Sequence, residues 1–217
     1  ADGLTKVLVF GSTKQLERVS ETALNLRRSN VASSYLSLRD PDKIPLSAEA
    51  FLVADIETGE VVIQKNPHAV LPIASVTKLM TALVSLENLN QSDLTTVTKE
   101  AYQTYSKAGR LNLNEKIKVG DLLYPLLLES SNMSAEVIAR DRNRNQFIAL
   151  MNQKAQTLGL AQTHYEDPSG LSENNVSSAS DLFALSQYIY RTKKYIFDLT
   201  KKATIQAGPH RWRNVNN

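Results

Sequence analysis

The stretch Ile73-Ala-Ser-Val-Thr-Lys-Leu-Met-Thr-Ala-Leu-Val-Ser-Leu-Glu87 decides how the chain is read. Leu79, Met80, Ala82, Leu83, Val84 and Leu86 cover most of the circumference of a helix running from Ser75 to about Leu89. That pattern predicts a central, buried helix rather than an amphipathic surface one. Ser75 and Lys78 stand three apart, on one face and within hydrogen-bond reach. A serine hydroxyl needs a neighbouring base to be nucleophilic near neutral pH. Lysine can be that base where burial disfavours its ammonium form. A helix start also offers backbone N–H groups and a positive dipole end to a developing oxyanion. The competing reading is a serine N-cap beside a lysine whose stem snorkels to water. Ser75 is the only serine with lysine three residues on. One such pair arises roughly by chance in a chain this size, so spacing alone leaves both readings open.

The rest of the composition narrows the field. At 217 residues, 42% hydrophobic and 22% charged, the chain suits one folded domain, or a domain with an appendage. The formal charge of +3 is mild, and Arg140, Arg142 and Arg144 alternate with Asp141 and Asn143. That alternation reads as a solvated face, not a nucleic-acid site. There is no cysteine, hence no disulfide, thiol nucleophile or thiolate metal site. No apolar run has the length of a membrane span. Ala1 opens the chain without a basic and then apolar leader, so the expectation is a signal peptide removed or never present.

Local patterns place the motifs. Lys6–Phe10 reads as a strand and Lys14 to about Arg28 as a helix. The stretch Leu38-Arg-Asp-Pro-Asp-Lys-Ile-Pro45 carries linker chemistry, which sets a boundary near 46. Ala48–Asp55 and Glu60–Gln64 read as a hairpin around Ile56–Gly59. Asn90–Asn114 is polar, with short helical pieces. Helices are expected over Val119–Leu128, with Asp121 near the start, over Asn145–Leu158, and over Leu182–Tyr190 capped by Ser180-Asp181. In the second of these, Phe147, Leu150, Met151 and Ala155 share a face. Pro168-Ser-Gly170 reads as a turn. Strands cluster before residue 75, and helices dominate after it.

Several ordered motifs together resemble the serine D-alanyl-D-alanine carboxypeptidases and endopeptidases. These are low-molecular-mass penicillin-binding proteins of the β-lactamase/transpeptidase-like superfamily. The resemblance begins at Asp55-Ile-Glu-Thr-Gly59, Asn66 and Pro72-Ile-Ala-Ser-Val-Thr-Lys-Leu-Met-Thr-Ala82. It continues through Leu126-Leu-Leu-Glu-Ser-Ser-Asn132, which carries a Ser-x-Asn motif, and Phe147–Asn152. It then takes in Leu158-Gly-Leu160, Asp167-Pro-Ser-Gly-Leu171 and Ser178–Leu182, so that it covers about residues 48 to 217. The resemblance implies Ser75 as the acylated nucleophile and Lys78 as its proton acceptor. It implies Ser130 as a proton relay to the leaving amine and Asn132 as binder of a substrate amide carbonyl. The competing reading of Ser130 and Asn132 is loop capping after a helix.

The same resemblance implies an α+β fold: an antiparallel sheet flanked by helices, with a helical subdomain at roughly 90–180 holding Ser130 and Asn132. The helix carrying Ser75 would run between the two parts. Residues 1–46 would be a strand–helix extension and linker, and 47–217 the transpeptidase-like domain. The implied substrate is a peptidoglycan stem peptide ending in D-Ala-D-Ala, or a cross-link in it, hydrolysed through an acyl-enzyme outside the cytoplasmic membrane. Penicillins would be inhibitors, and no cofactor or metal is implied.

Two features cut across the pattern. The family's third motif, Lys-Thr-Gly on a site-lining strand, is absent; Glu57-Thr-Gly59 belongs to the first hairpin. The expectation is a chain that stops before that strand, and activity as written turns on it. The alternatives are a non-catalytic wall-binding or regulatory module and, less favoured, a β-lactamase. Glu21-Thr-Ala-Leu-Asn25 matches a class A β-lactamase motif, but it precedes Ser75 instead of following Ser130, so it reads as coincidence. His68, His164 and His210 lack ligand-like spacing for zinc or a Ser-His-Asp triad.

Overall fold

The computed structural model describes residues 7–9, 47–106, 108–141 and 143–216. The expected helix at 14–28, the linker at 38–45, the boundary near 46 and Glu21–Asn25 lie outside them.

Strands β1 (Val7–Val9), β2 (Phe51–Asp55) and β3 (Val61–Lys65) form an antiparallel sheet in the order β1-β2-β3. All five β2 residues are buried, so both faces of this central strand are covered. Alternation divides them: Phe51 and Val53 pack with Ile63, while Leu52 and Ala54 pack with Phe183. The β2–β3 register shifts between Val53 and Ala54, a bulge next to the turn. That turn is closed by Asp55, whose Oδ1 accepts from the Glu57 and Thr58 N–H groups at 2.9 Å each.

The predicted central helix is present as α1 (Thr77–Asn88). Met80, Ala82, Leu83 and Val84 are fully buried, and so are Thr77, Thr81 and Ser85. Packed around α1 are α3 (Leu123–Leu128), α4 (Asn132–Arg140) and α5 (Arg144–Thr157). Pro125 is tolerated in α3 because it sits in the first turn, where no intrahelical N–H bond is lost. On α5, Phe147, Met151 and Ala155 are buried and Leu150 partly so, matching the period read from the sequence. Two further helices, α6 (Ala179–Thr192) and α7 (Tyr195–Thr200), follow in the chain, and α6 supplies the Phe183 that covers the sheet.

Several boundaries differ from expectation. Ser75 does not begin the α-helix: Ala74–Val76 is a 3-10 turn, and α1 starts at Thr77. Helix α6 starts earlier and is capped by Ser178, whose hydroxyl accepts from the Asp181 N–H at 3.1 Å. The segment read as Val119–Leu128 opens with a 3-10 turn over Val119–Leu122 before α3. The polar stretch Asn90–Asn114 holds, besides the short helix α2 (Lys99–Tyr102), the strand β5 (Leu94–Thr96), which pairs with β6 (Lys116–Lys118) just beyond it in a ribbon. Only Thr95 and Ile117 of that ribbon are buried, so it leaves little hydrophobic signal. Strands also occur late: β4 (Leu71–Pro72) pairs with β7 (Val176–Ser177), and β8 (Thr204–Ala207) with β9 (His210–Arg213).

Candidate active site

The turn carrying Ser75 is held on both sides. Ile73 N–H donates to the Asn175 carbonyl at 3.0 Å, and Val76 N–H to the Ile73 carbonyl at 3.1 Å. Ala74 takes φ 44°, a left-handed conformation that a non-glycine residue adopts only where its surroundings impose it. The 3-10 turn leaves Ser75 exposed, while Lys78, one turn on, is 3% exposed. Lys78 Nζ lies 2.9 Å from Ser75 Oγ and donates to the Ser169 carbonyl at 2.7 Å. Burial pushes the Lys78 ammonium down to about 8, partly opposed by the negative charge of Asp167. An exposed hydroxyl thus faces a buried amine that gives up its proton far more readily than an ordinary lysine.

The segment 167–175 forms the wall behind the pair. Asp167 Oδ1 accepts from Ser169 N–H (2.6 Å), Ser169 Oγ (2.7 Å) and Gly170 N–H (2.7 Å), and Oδ2 accepts from Ser172 N–H (2.6 Å). Burial works to raise the pKa of Asp167, but the Ser169 hydroxyl and these N–H donors outweigh it and hold the carboxyl below its usual range. Gly170 (φ +85°) lies against the Ala74–Ser75 backbone. A Cβ there would overlap the Ala74 carbonyl and stand 3.0 Å from Ser75 N. Thr81 Oγ1 donates to the Pro168 carbonyl at 2.6 Å. The fully buried Asn175 donates to Thr77 Oγ1 at 3.0 Å and to the Asp167 carbonyl at 2.9 Å. Its Oδ1 accepts from the N–H groups of Glu166 and Asp167.

The Ser-x-Asn motif sits at the corner between α3 and α4, both of which pack on α1. Ser130 is half-buried, with φ 54°. Ser131, not Ser130, does the capping: its Oγ accepts from Ser134 N–H at 3.1 Å and donates to the Ala108 carbonyl at 2.6 Å. Asn132 is the first residue of α4, and its Nδ2 donates to the Tyr105 carbonyl at 3.1 Å. The corner is tied down by Glu129, which accepts from Gly109 N–H and Arg213 N–H, each at 3.0 Å, and pairs with Arg110. Beside it the fully buried Trp212 of β9 donates to the Gly109 carbonyl at 2.8 Å and stacks on His210. Among the described residues, neither Ser130 nor Asn132 hydrogen-bonds the Ser75–Lys78 pair.

Motif reading pointed to Ser75, Lys78, Ser130 and Asn132 as candidates. It missed the supporting roles of Asp167, Ser169, Asn175, Glu129 and Trp212. Asp167-Pro-Ser-Gly carries an Asx-turn signal, but its partner on α1 lies 91 residues away. His210 pairs with Glu115. Among the described residues, no group of histidine and carboxylate side chains is arranged to hold a metal ion.

An exposed serine in the turn before a central helix, within hydrogen-bond reach of a buried lysine, is an arrangement suited to nucleophilic catalysis through an acyl-enzyme. Residues 37–217 match the family described as D-alanyl-D-alanine carboxypeptidase, and the chain belongs to that family. It is 38% identical over 144 residues to a D-alanyl-D-alanine endopeptidase of Pseudomonas aeruginosa, covering 64% of this chain and 46% of that protein. A D-alanyl-D-alanine endopeptidase of Haemophilus influenzae is 39% identical over 145 residues, or 65% of this chain and 50% of that protein. The chain therefore spans about half the length of the curated relatives it matches. Among solved structures, a D-alanyl-D-alanine carboxypeptidase of Mycobacterium tuberculosis aligns with TM-score 0.73 at 26% identity, over 78% of this chain and 67% of that one. Penicillin-binding protein D2 of Listeria monocytogenes, in its cefotaxime-bound form, aligns with TM-score 0.70 at 30% identity, over 79% and 74%. The fold is thus the α+β fold of these peptidases.

Proposed function

We propose that the protein is a serine-type D-Ala-D-Ala peptidase that cleaves peptidoglycan stem peptides through an acyl-enzyme. The observation that carries this reading is the 2.9 Å contact between exposed Ser75 Oγ and the buried, readily deprotonated Lys78. Neutral Lys78 takes the Ser75 proton as Oγ attacks the penultimate D-Ala carbonyl. The Ser75 N–H, at the start of the helical turn, is placed to donate to the oxyanion. Ser130 passes the proton to the leaving amine, and Asn132 binds a substrate amide carbonyl. Water then releases the acyl group. Penicillin, which presents a strained amide, acylates Ser75.

Within that class we favour the endopeptidase. Relatives so named are 36–39% identical to this chain, whereas those named carboxypeptidases are 26–32% identical. The substrate places the protein outside the cytoplasmic membrane. No helix among the described residues is long and apolar enough to cross a membrane. Residues 1–46 act as an extension to the catalytic domain, and the pairing of β1 with β2 ties part of it to the sheet.

Penicillin labelling of the full-length protein tests the reading by intact mass. The expected result is one adduct that disappears in Ser75→Ala. Absence of an adduct on the wild type, or an undiminished one in Ser75→Ala, overturns it. Release of D-Ala from a pentapeptide against cleavage of a cross-linked dimer separates carboxypeptidase from endopeptidase.

A further inference from the structure

We infer that Asp167 is a positioning residue for the proton acceptor: it folds the 167–172 loop so that the Ser169 carbonyl holds Lys78 against Ser75. This rests on the serine-peptidase reading above and gives a role to Asp167, to which the resemblance assigned none.

The chain of contacts is continuous. The Asp167 carboxylate gathers the Ser169, Gly170 and Ser172 N–H groups at 2.6–2.7 Å, together with the Ser169 hydroxyl. With its N–H and Oγ both drawn to Asp167, Ser169 has its carbonyl directed at Lys78 Nζ, 2.7 Å away. The Ser75 contact at 2.9 Å and this one fix the amine from two sides. Gly170 brings the same loop onto the Ala74–Ser75 backbone. Asn175 anchors the base of the loop to Thr77, between nucleophile and lysine in sequence. Asp167 is 7% exposed, and its carboxylate serves several N–H donors in a tight turn, which a neutral amide cannot reproduce on both oxygens.

The charge matters as well as the shape. Asp167 is the charged group whose field bears on Lys78 and works to keep it protonated. Other charges are engaged nearby: Arg144 of α5 feels Asp167 but is held by Glu136 of α4, and Glu166 accepts from Ser172 and Asn174 at the surface. Asp167 therefore performs two opposed tasks. It orients the amine, which speeds acylation, and it disfavours the neutral amine that acylation requires.

Two substitutions separate these tasks, read as the pH dependence of the second-order rate of penicillin acylation in the full-length protein. Asp167→Asn keeps one acceptor oxygen and removes the charge, so the rising limb of the profile moves to lower pH. Asp167→Ala releases the loop, and the acylation rate at the plateau falls by about a hundredfold. Glu166→Gln removes an adjacent surface charge and leaves the limb in place. Thermal unfolding of each variant shows whether it is folded, and Asp167→Asn carries the test if Asp167→Ala does not fold. An unmoved limb in Asp167→Asn, or an equal shift in Glu166→Gln, overturns the inference. So does a plateau rate in folded Asp167→Ala equal to wild type. Failure of the wild type to be acylated is a different outcome, and it removes the peptidase reading itself.

Discussion

The two halves of the candidate site are built differently. The Ser75–Lys78 half is made by neighbours in sequence and completed by one loop, 167–175, pressed onto it from far along the chain. The Ser130–Asn132 half is a corner between helices whose conformation depends on Glu129, on Ser131 and on the β9 residues Trp212 and Arg213. In the first half, a side chain meets a side chain directly. In the second, the important residues are placed by backbone geometry, Ser130 by a left-handed φ and Asn132 by the start of a helix. The first half should therefore respond most to changes in protonation, and the second to changes in packing.

The largest effect should come from Lys78→Ala, which removes the proposed proton acceptor while leaving Ser75 in place. Penicillin acylation is expected to slow by about 10² to 10⁴-fold, measured under single-turnover conditions. A rate within a few-fold of wild type would move the base to another residue, and with it the contrast between the halves.

Next in size is Gly170→Ala. The new Cβ would overlap the Ala74 carbonyl, and φ +85° disfavours any side chain there. A loss of about 2–4 kcal/mol in denaturant unfolding is expected, together with slowed acylation, because the displaced group is the nucleophile's own backbone. Unchanged stability would show that the loop does not press on the turn as described.

Glu129→Ala tests the other half. It strands the N–H groups of Gly109 and Arg213 and releases Arg110. About 1–3 kcal/mol of stability should be lost, with slower acylation and an unmoved pH profile. A shifted profile would mean that the corner and the lysine titrate together.

The smallest effect concerns pH in the wild type. Lys78 acts only when neutral, and burial lowers its pKa to about 8. The acylation rate should rise about tenfold from pH 7 to pH 9 and then level off. A limb near the ordinary lysine value of 10.5 would argue that the amine is not buried in solution.

Much of this site can be read from the residues. Spacing three apart in a helical stretch is a local fact, so the sequence shows that Ser75 and Lys78 can meet, and the 167–170 loop then fixes how they do. The apolar circumference of 79–86 likewise announces a buried helix, because such a surface has nowhere else to go. The ribbon β5–β6 was not legible, since one buried residue per strand gives no period. Nor could the sequence show that Ser75 precedes the α-helix in a 3-10 turn. That is imposed by the Gly170 loop and by the Asn175 carbonyl on Ile73.

By itself, then, the sequence determined the central buried helix, the Ser75-x-x-Lys78 spacing and the ordered motifs that carry the family resemblance, each of them a pattern within a few residues. Tertiary structure alone decided that Ser75 is open to solvent while Lys78 is not, that Asp167 shapes the wall behind them, and that Ser131 rather than Ser130 caps α4. Those features depend on burial and on hydrogen bonds between residues far apart in the chain. Their strength is set by which groups lose water together, and no local pattern encodes that.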